Sequence, residues 1–275
     1  MPSDTTASIG HAAYAPTVRK IGMDDIKQAL TEGFADFLAI PTFAVFVALI
    51  YPVVGLILGR FLSGSNALPL LFPLVAGFAL IGPFGAVGLY EFSRLREQGK
   101  HVSLLNTFDI LRSDRIAAIL LLGAMLGGLF VVWMVVAETV YMLTLGGIMG
   151  PAGAPISPGA FLDAVLYTSP GHTMIVVGTG LGFLFALAVL ALGVVSFPLL
   201  VDTDKFIGTT AAEQASVAVR TSVRAALLNP IPMAMWGIIV AGLLILGSLP
   251  LLVGLAVVMP LLAHSTWHLY RKLVV

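Results

Sequence analysis

Long apolar stretches alternate with short polar segments along this chain. Six of the apolar stretches reach about 20 residues, the length at which a helix crosses the hydrocarbon core of a bilayer. They lie at residues 37–59, 67–90, 116–138 with a continuation to about 145, and 173–201, and as two parts of 231–264. The last region is too long for one ordinary span, and Gly247, Ser248 and Pro250 predict a turn that makes it a hairpin of two spans. The pattern predicts an all-α fold, a polytopic membrane helix bundle with six transmembrane helices.

Three polar segments, at residues 24–38, 103–115 and 213–228, have apolar residues at helical spacing. The predicted apolar faces consist of Ile26, Leu30, Phe34, Phe37 and Leu38; of Leu104, Leu105, Phe108 and Leu111; and of Val219, Val223, Ala226 and Leu227. The predicted polar faces consist of Asp24, Gln28, Glu32 and Asp36; of Asn106, Asp109 and Arg112; and of Glu213, Arg220 and Arg224. Because each segment directly precedes a span, we predict three interfacial amphipathic helices on the inner side.

The long loop at residues 146–171 follows the third span. Ser157 and Pro158 predict the start of a helix, and the run FLDAVLY continues it as a short amphipathic segment up to the next Ser-Pro pair. We expect either an outer interfacial helix or a lid over the bundle.

Positive charges fall almost entirely on one side of the predicted bundle. The inner segments hold thirteen of the 14 Lys and Arg residues: Arg19, Lys20, Lys27, Arg94, Arg96, Lys100, Arg112, Arg115, Lys205, Arg220, Arg224, Arg271 and Lys272. Arg60 alone lies on the outer side. Cytoplasmic loops of membrane proteins carry an excess of Lys and Arg, so we predict that both termini are cytoplasmic.

Composition agrees with a membrane location. The 275 residues are 59% hydrophobic and 10% charged, with a mean hydropathy of +1.03, whereas soluble domains carry about 25% charged residues. The formal net charge is zero, so we expect no nucleic-acid partner. The chain has no cysteine, which excludes disulfides and cysteine-based metal sites. We read no short apolar segment before a cleavage site near the start of the chain, and therefore expect no signal peptide.

Four motifs are similar to those of a known family. They are VRKIGMDDI at 18–26, GPFGAVGLYEFSR at 82–94, SFPLLVDTD at 196–204 and NPIPMAMWG at 229–237. Over most of residues 18–272 the chain resembles a family of predicted bacterial integral membrane proteins of unknown function. Some members of that family carry a provisional label of cytochrome c oxidase subunit I. The resemblance implies a bacterial inner-membrane protein without an established activity.

The histidine count tests the oxidase label. A catalytic subunit of that kind needs six histidines to ligate two haems and a copper ion, and this chain has five. His11, His101 and His172 lie outside the predicted spans. We therefore predict that the chain is not a catalytic oxidase subunit, while a role as a partner of an oxidase stays open.

His264 and His268 lie four residues apart, on one face of a helix and beside Trp267. The pair could hold a metal ion or one face of a haem, but no Cys, Asp or Glu lies close in sequence as a third ligand. The alternative is an interfacial aromatic belt that anchors the end of the helix. We favour the belt and predict no cofactor and no metal.

Glycines at four-residue spacing are candidates for close helix packing. The pairs are Gly55 and Gly59, Gly123 and Gly127, and Gly178 and Gly182. Small residues at this spacing let helices approach each other, within one chain or between chains.

Ionisable residues are scarce within the predicted spans. Glu138 and Arg60 lie at the outer ends of the third and first spans. We predict a structural ion pair between them, with Arg60 reaching to the headgroups on its own as the alternative. No chain of such groups crosses the bundle, and no catalytic arrangement of side chains is present in the sequence.

The sequence favours a non-enzymatic inner-membrane protein, a scaffold or an accessory or assembly component for other membrane proteins, which include respiratory ones. The alternative is a small-solute or lipid transporter, and a redox or haem-binding subunit is the third reading. We expect membrane lipids and other inner-membrane proteins as partners. The predicted organisation is a flexible cytoplasmic N-terminus (1–23), one six-helix membrane domain (24–272) and a C-terminal tail (273–275).

Overall fold

The computed structural model describes residues 16–40, 55, 68–78, 82–102, 110, 112–151, 156–203, 208–249 and 254–275. Within these residues the regular elements are helices, and the all-α prediction is confirmed. The helices are α1 (Met23–Ala39), α2 (Leu68–Phe78), α3 (Gly82–Gly85), α4 (Val87–Glu97), α5 (Ile116–Thr144), α6 (Gly146–Met149), α7 (Pro158–Tyr167), α8 (Ser169–Gly193), α9 (Ser196–Val201), α10 (Ala211–Leu228), α11 (Pro230–Ser248) and α12 (Leu255–Leu273).

Three helical segments in the described part of the chain are long and apolar enough to cross a membrane. They are Ile116–Thr144, Ser169–Val201 (α8 with α9) and Pro230–Ser248. They correspond to the third, fourth and fifth predicted spans. Large apolar side chains on them are exposed, as lipid-facing residues would be, with Leu143 and Val176 as examples.

The other predicted spans differ from this simple pattern, so the count of six spans is not established. Most of the first, residues 37–59, lies outside the described residues. The second, predicted as one helix over 67–90, is described as α2 up to Phe78 and from Gly82 as α3 and α4, which a turn at Ala86 separates, and α4 extends to Glu97. Beyond the predicted end of the span, α4 carries Glu91 and Ser93, which are buried inside the protein and do not face lipid.

The predicted hairpin turn is present, because α11 ends at Ser248 and α12 begins at Leu255. The backbones of Gly247 and Gly254 approach so closely that a Cβ at residue 254 would lie 2.8 Å from the Gly247 carbonyl oxygen. The second arm of the hairpin, α12, is not among the three apolar helices. Its C-terminal half carries polar and charged residues that pack inside the protein.

The outer loop contains the predicted short helix. The Ser157 side chain accepts a hydrogen bond from the Ala160 backbone N–H at 3.2 Å, which caps the N-terminus of α7. The helix ends at Tyr167, and the next residue, Thr168, accepts a hydrogen bond from the Gly171 N–H at 3.1 Å through its Oγ1 and so caps α8. The start and the end of α7 therefore agree with the sequence prediction.

The predicted faces of α1 were wrong in part. Asp36, assigned to the polar face, is buried, whereas Phe34 and Leu38 of the predicted apolar face are exposed on the protein surface. The reason is that α1 packs on α12 through its small residues Ala29 and Gly33, and this contact turns the large apolar residues outward.

The predicted apolar face of α10 differs from the face that packs inside the protein. The buried face consists of Gln214, Ala215, Val217, Ala218, Thr221, Ser222 and Ala225. Leu227 is exposed, and it lies on the same side of the helix as Arg220 and Arg224. Helix packing selected the small residues for the interior. The third predicted amphipathic helix, residues 103–115, lies mostly outside the described residues.

At one end of the bundle, α9 packs against α4, α10 and α12. Large side chains that are fully buried there include Phe92, Phe197, Trp236, Trp267 and Tyr270. We call this the polar end, because the buried polar groups described below lie between these aromatic side chains.

The first and last described segments of the chain lie side by side. Val18 and Val274 form an isolated antiparallel bridge. The Arg19 N–H donates to the Leu273 carbonyl at 3.0 Å, and the Val275 N–H donates to the Thr17 carbonyl at 2.9 Å. The predicted domain boundaries remain predictions, and residues 17–19 and 273–275 are held together.

Candidate functional site

Close packing of α1 on α12 brings polar residues from distant parts of the sequence together. Gly33 allows this approach, because a Cβ at that position would overlap the Ser265 side chain and lie 2.6 Å from its Cα. One turn further along α1, Asp36 therefore faces α12 at short range.

Asp36 is the centre of a polar group that we call the Asp36 cluster: the buried Asp36, Ser93 and His264, the half-buried His268 and the exposed Arg96. The Ser93 hydroxyl donates to Asp36 Oδ2 at 2.6 Å. His268 Nε2 lies 2.8 Å from the same oxygen. Arg96 donates to the other oxygen, Oδ1. The carboxylate thus joins α1, α4 and α12.

The hydrogen bonds of the cluster fix the orientation of His264. Its Nδ1 lies 2.8 Å from Ser93 Oγ. Because the single hydroxyl proton of Ser93 is donated to Asp36, Nδ1 of His264 must carry the proton of this second bond. Its Nε2 is then an acceptor, and it is buried without a hydrogen-bond partner among the described residues.

The ionisation of Asp36 follows from its neighbours. Burial by itself raises the pKa of the Asp36 carboxyl, but hydrogen bonds from His268 and Ser93, the nearby charge of His268 and the hydrogen bond from Arg96 outweigh it. The pKa of Asp36 is held below its ordinary value, so the group is an anion at neutral pH.

Two further charged residues, Glu32 and Lys272, lie next to His268. Glu32 Oε2 lies 3.4 Å from His268 Nδ1 and 3.1 Å from Lys272 Nζ. Both ring nitrogens of His268 therefore face carboxylate oxygens of α1.

A second polar group, the Asp202 cluster, lies at the end of α9: Asp202, Tyr270, Arg271 and Arg115. The Tyr270 hydroxyl donates to Asp202 Oδ2 at 2.6 Å, and Arg271 approaches the same oxygen at 3.3 Å. Arg115 donates to the backbone carbonyls of Asp202 at 2.8 Å and of Leu199 at 3.1 Å. Burial, followed by the charge of Asp202, raises the pKa of the Tyr270 hydroxyl, and burial lowers the pKa of Arg115.

Asn229 connects the N-terminal segment to the same end of the molecule. Its Oδ1 accepts from the Ile21 N–H at 2.8 Å, and its Nδ2 donates to the Arg19 carbonyl at 3.1 Å. This residue lies between α10 and α11, so the amide ties residues 19–21 to the start of a membrane-spanning helix.

The serine and the histidine at the centre of the Asp36 cluster are closed to a substrate, whereas Arg96 and Arg271 at the edges of the two clusters are exposed. Ser93 and His264 are 0% exposed. Asp36, Ser93 and His264 do not form a catalytic triad either. In a triad the carboxylate binds the histidine that contacts the serine, whereas here Asp36 binds Ser93 and not His264. Within the described residues no group of three or more His, Cys, Asp or Glu side chains could hold a metal ion.

The sequence favoured an interfacial aromatic belt for His264, His268 and Trp267, and the structure places two of these residues inside the protein. His264 and Trp267 are buried, and the Trp267 Nε1–H donates to Glu97 at 3.1 Å. Whether His264 and His268 bind a ligand stays a prediction. In the described structure Nδ1 of the first and Nε2 of the second make hydrogen bonds to protein groups.

The predicted packing glycines differ among themselves. A Cβ at Gly123 would lie 2.7 Å from the Phe84 ring, and one at Gly182 would lie 3.1 Å from Trp133. Gly127 and Gly178 face open space. Of the pair Gly55 and Gly59, the structure describes Gly55, and Gly59 lies outside the described residues.

The predicted ion pair cannot be located. Glu138 is exposed near the end of α5, and Arg60 lies outside the described residues. Their contact stays a prediction.

Sequence reasoning missed the residues that organise both clusters. Ser93, Asp202 and Asn229 each lie within one of the motifs on which the family resemblance rests. A search for polar residues inside those motifs would have found them. Asp36 and Tyr270 had no comparable signal, because their partners are more than 50 residues away in sequence.

The family comparison agrees with the resemblance. Residues 71–202 match the model of a family described as "Predicted integral membrane protein (DUF2189)". The match confirms the recognition of an uncharacterised family of integral membrane proteins. It covers α2 to α9 with Ser93 and Asp202. No curated protein and no solved structure matches the chain.

Proposed function

We propose that the protein is a non-enzymatic component of the bacterial inner membrane that organises or assists other membrane proteins, respiratory ones among them. The observation that carries the proposal is a contrast within the fold. Buried polar groups at one end are joined to each other by hydrogen bonds inside the protein, whereas the apolar sides of the long helices are left exposed.

The closed polar end supports a structural role. Asp36 and Asp202 each join three or more segments through hydrogen bonds, and both are buried. An enzyme needs reacting groups that a substrate can reach. Hydrogen bonds that join several helices instead make one end of the bundle rigid.

The exposed helices support a role in contacts within the membrane. Leu143 is 82% exposed and Val176 is 72% exposed. Lipid tails cover such positions, and so can the helices of a partner protein. The proposal assigns part of this surface to protein partners.

The proposed topology has six spans with both termini in the cytoplasm. The positive-inside pattern supports it, and so does the bridge between Val18 and Val274. Segments that pair directly lie on the same side of a membrane, which requires an even number of crossings between them.

Photo-crosslinking in intact cells tests the proposed role. A photoreactive amino acid at Leu143 or Val176 should give discrete crosslinked bands, each with one partner protein of fixed stoichiometry after purification in mild detergent. The matched control is Leu126, which lies on the same α5 helix as Leu143 and is 0% exposed. Crosslinks to lipid alone at both exposed positions would contradict the proposal.

A transporter is the second candidate, and one observation favours it. Within the predicted second span, Pro73 lies inside α2, and a turn at Ala86 separates α3 from α4. Interrupted helices are typical of transporter binding sites. Stabilisation of the isolated protein by a small solute, together with uptake into proteoliposomes that an empty vesicle does not show, would favour this function over the first.

A further inference from the structure

One face of α10 carries positive charge and apolar surface side by side. A groove of about 520 Å³ is lined by Val219, Arg220, Val223, Arg224, Leu227 and Leu228. Its volume falls within the range of small-molecule sites, about 300–1,000 Å³. We call it the α10 groove.

Among the described residues, no acidic side chain pairs with the two arginines of the groove. Arg220 and Arg224 are both exposed, and neither forms an ion pair with another described residue. They lie four residues apart, so their side chains are neighbours on one face of the helix. Glu213, the acidic residue of α10, accepts hydrogen bonds at the helix N-terminus from the backbone of Thr209 and Thr210 instead.

The apolar part of the groove continues onto a membrane-spanning helix. Leu227 is 76% exposed and Ile231, one turn later in α11, is 73% exposed. The candidate span starts at Pro230, only two residues after α10 ends. The arginines therefore lie within a few turns of the membrane boundary, at headgroup height.

We propose that the α10 groove binds one anionic phospholipid, with the phosphate on Arg220 and Arg224 and an acyl chain along Val219, Val223 and Leu227. Guanidinium groups bind phosphate oxygens through paired hydrogen bonds. The apolar residues supply the surface that a free phosphate would not use. A zwitterionic lipid would bring its own cation next to the two arginines, so an anionic headgroup is favoured.

The test measures binding of a phosphatidylglycerol to the purified full-length chain in a nonionic detergent, by native mass spectrometry and by the shift in melting temperature. Each basic residue near an anionic lipid surface contributes roughly a factor of five in affinity, so R220Q/R224Q should bind about thirtyfold more weakly. R220K/R224K keeps both charges but loses the paired hydrogen bonds, so its affinity should lie between those of wild type and R220Q/R224Q.

A matched control removes the same charge elsewhere. K20Q/K27Q takes two exposed basic residues from the N-terminal segment, and it should leave phosphatidylglycerol binding unchanged. Leu227→Ala should weaken binding of the phospholipid while Arg220 and Arg224 remain, because it shortens the apolar surface of the groove.

Three results would overturn the proposal. Equal binding of phosphatidylcholine would remove the role of the arginines. Equal binding of inorganic phosphate would make the groove a free-anion site. Unchanged affinity of R220Q/R224Q would place the lipid elsewhere, and if that variant instead lost a co-purifying protein, the groove would be a protein contact. Since both arginines are exposed, the unliganded variant should melt at the wild-type temperature.

Discussion

Asp36 on α1 and His268 on α12 are joined by a hydrogen bond of 2.8 Å, although 232 residues separate them in the sequence. The bond connects α1, which precedes the predicted first span, to α12, which follows the predicted hairpin turn. Ser93 on α4 donates to the same Asp36 oxygen. One carboxylate thus holds three helices at the polar end.

We expect Asp36→Asn to destabilise the protein by about 2 kcal/mol, because Arg96 and His268 would lose their anionic partner. The free energy of unfolding, measured in detergent by denaturant titration, checks this. Asp24→Asn is the matched control on the same helix, since Asp24 is fully exposed and should be neutral to substitution. Equal effects of the two variants would contradict the role of the cluster.

Acid should weaken the protein through the same carboxylate. The pKa of Asp36 in the folded protein lies below its ordinary value of 3.8. A carboxyl group whose pKa is lowered by folding stabilises the protein at pH values above its ordinary pKa. That stabilisation is lost as the pH falls through the pKa of the folded state. Unfolding followed from about pH 6 to values well below 3.8 should show the difference between wild type and Asp36→Asn narrowing below pH 3.8 and continuing to narrow as the pH falls. A constant difference between them would exclude Asp36 as the titrating group.

Gly33→Ala should separate α1 from α12. The new methyl group would overlap Ser265, whose backbone atoms cannot move without shifting α12. Overpacking of this kind costs about 1–3 kcal/mol, and the melting temperature should fall accordingly. Gly127→Ala places the same methyl group in open space on α5, where it should leave the melting temperature unchanged or raise it slightly.

Tyr270 and Asp202 should be energetically coupled. Tyr270→Phe should cost about 1–2 kcal/mol in wild type, because the hydroxyl donates to a buried carboxylate. In an Asp202→Ala background the same change should cost clearly less. Asp163→Ala, an exposed and distant substitution, should combine additively with Tyr270→Phe. Additivity in both backgrounds would mean that the hydrogen bond contributes nothing to stability.

Reporter fusions test the proposed topology. A fusion after Val275 should report the cytoplasm, and one inserted after Gly153 should report the outer side. The charge distribution requires both results, since thirteen of 14 basic residues then remain inside. The opposite result at either position would refute six spans with both ends inside.

Much of the helical architecture could be predicted from the sequence. The apolar runs that became α5, α8 and α11 were located because a run of that length has only one stable conformation in lipid, a helix that satisfies its own backbone. Ser157 and Pro158 marked the start of α7 because capping depends on neighbouring residues alone. These features are local, and the sequence states local features directly.

Tertiary structure decided the rest. The pattern along α1 and α10 indicated an apolar face in each, but it could not say that Gly33 or Ala218 would be chosen for packing over Phe34 or Leu227. That choice depends on the shape of the neighbouring helix. Asp36 became a buried anion only because Ser93 and His268, far away in sequence, supply its hydrogen bonds. Hydrophobic periodicity determines that a helix forms and lies at a membrane, whereas the partner that it meets determines which of its faces is inside.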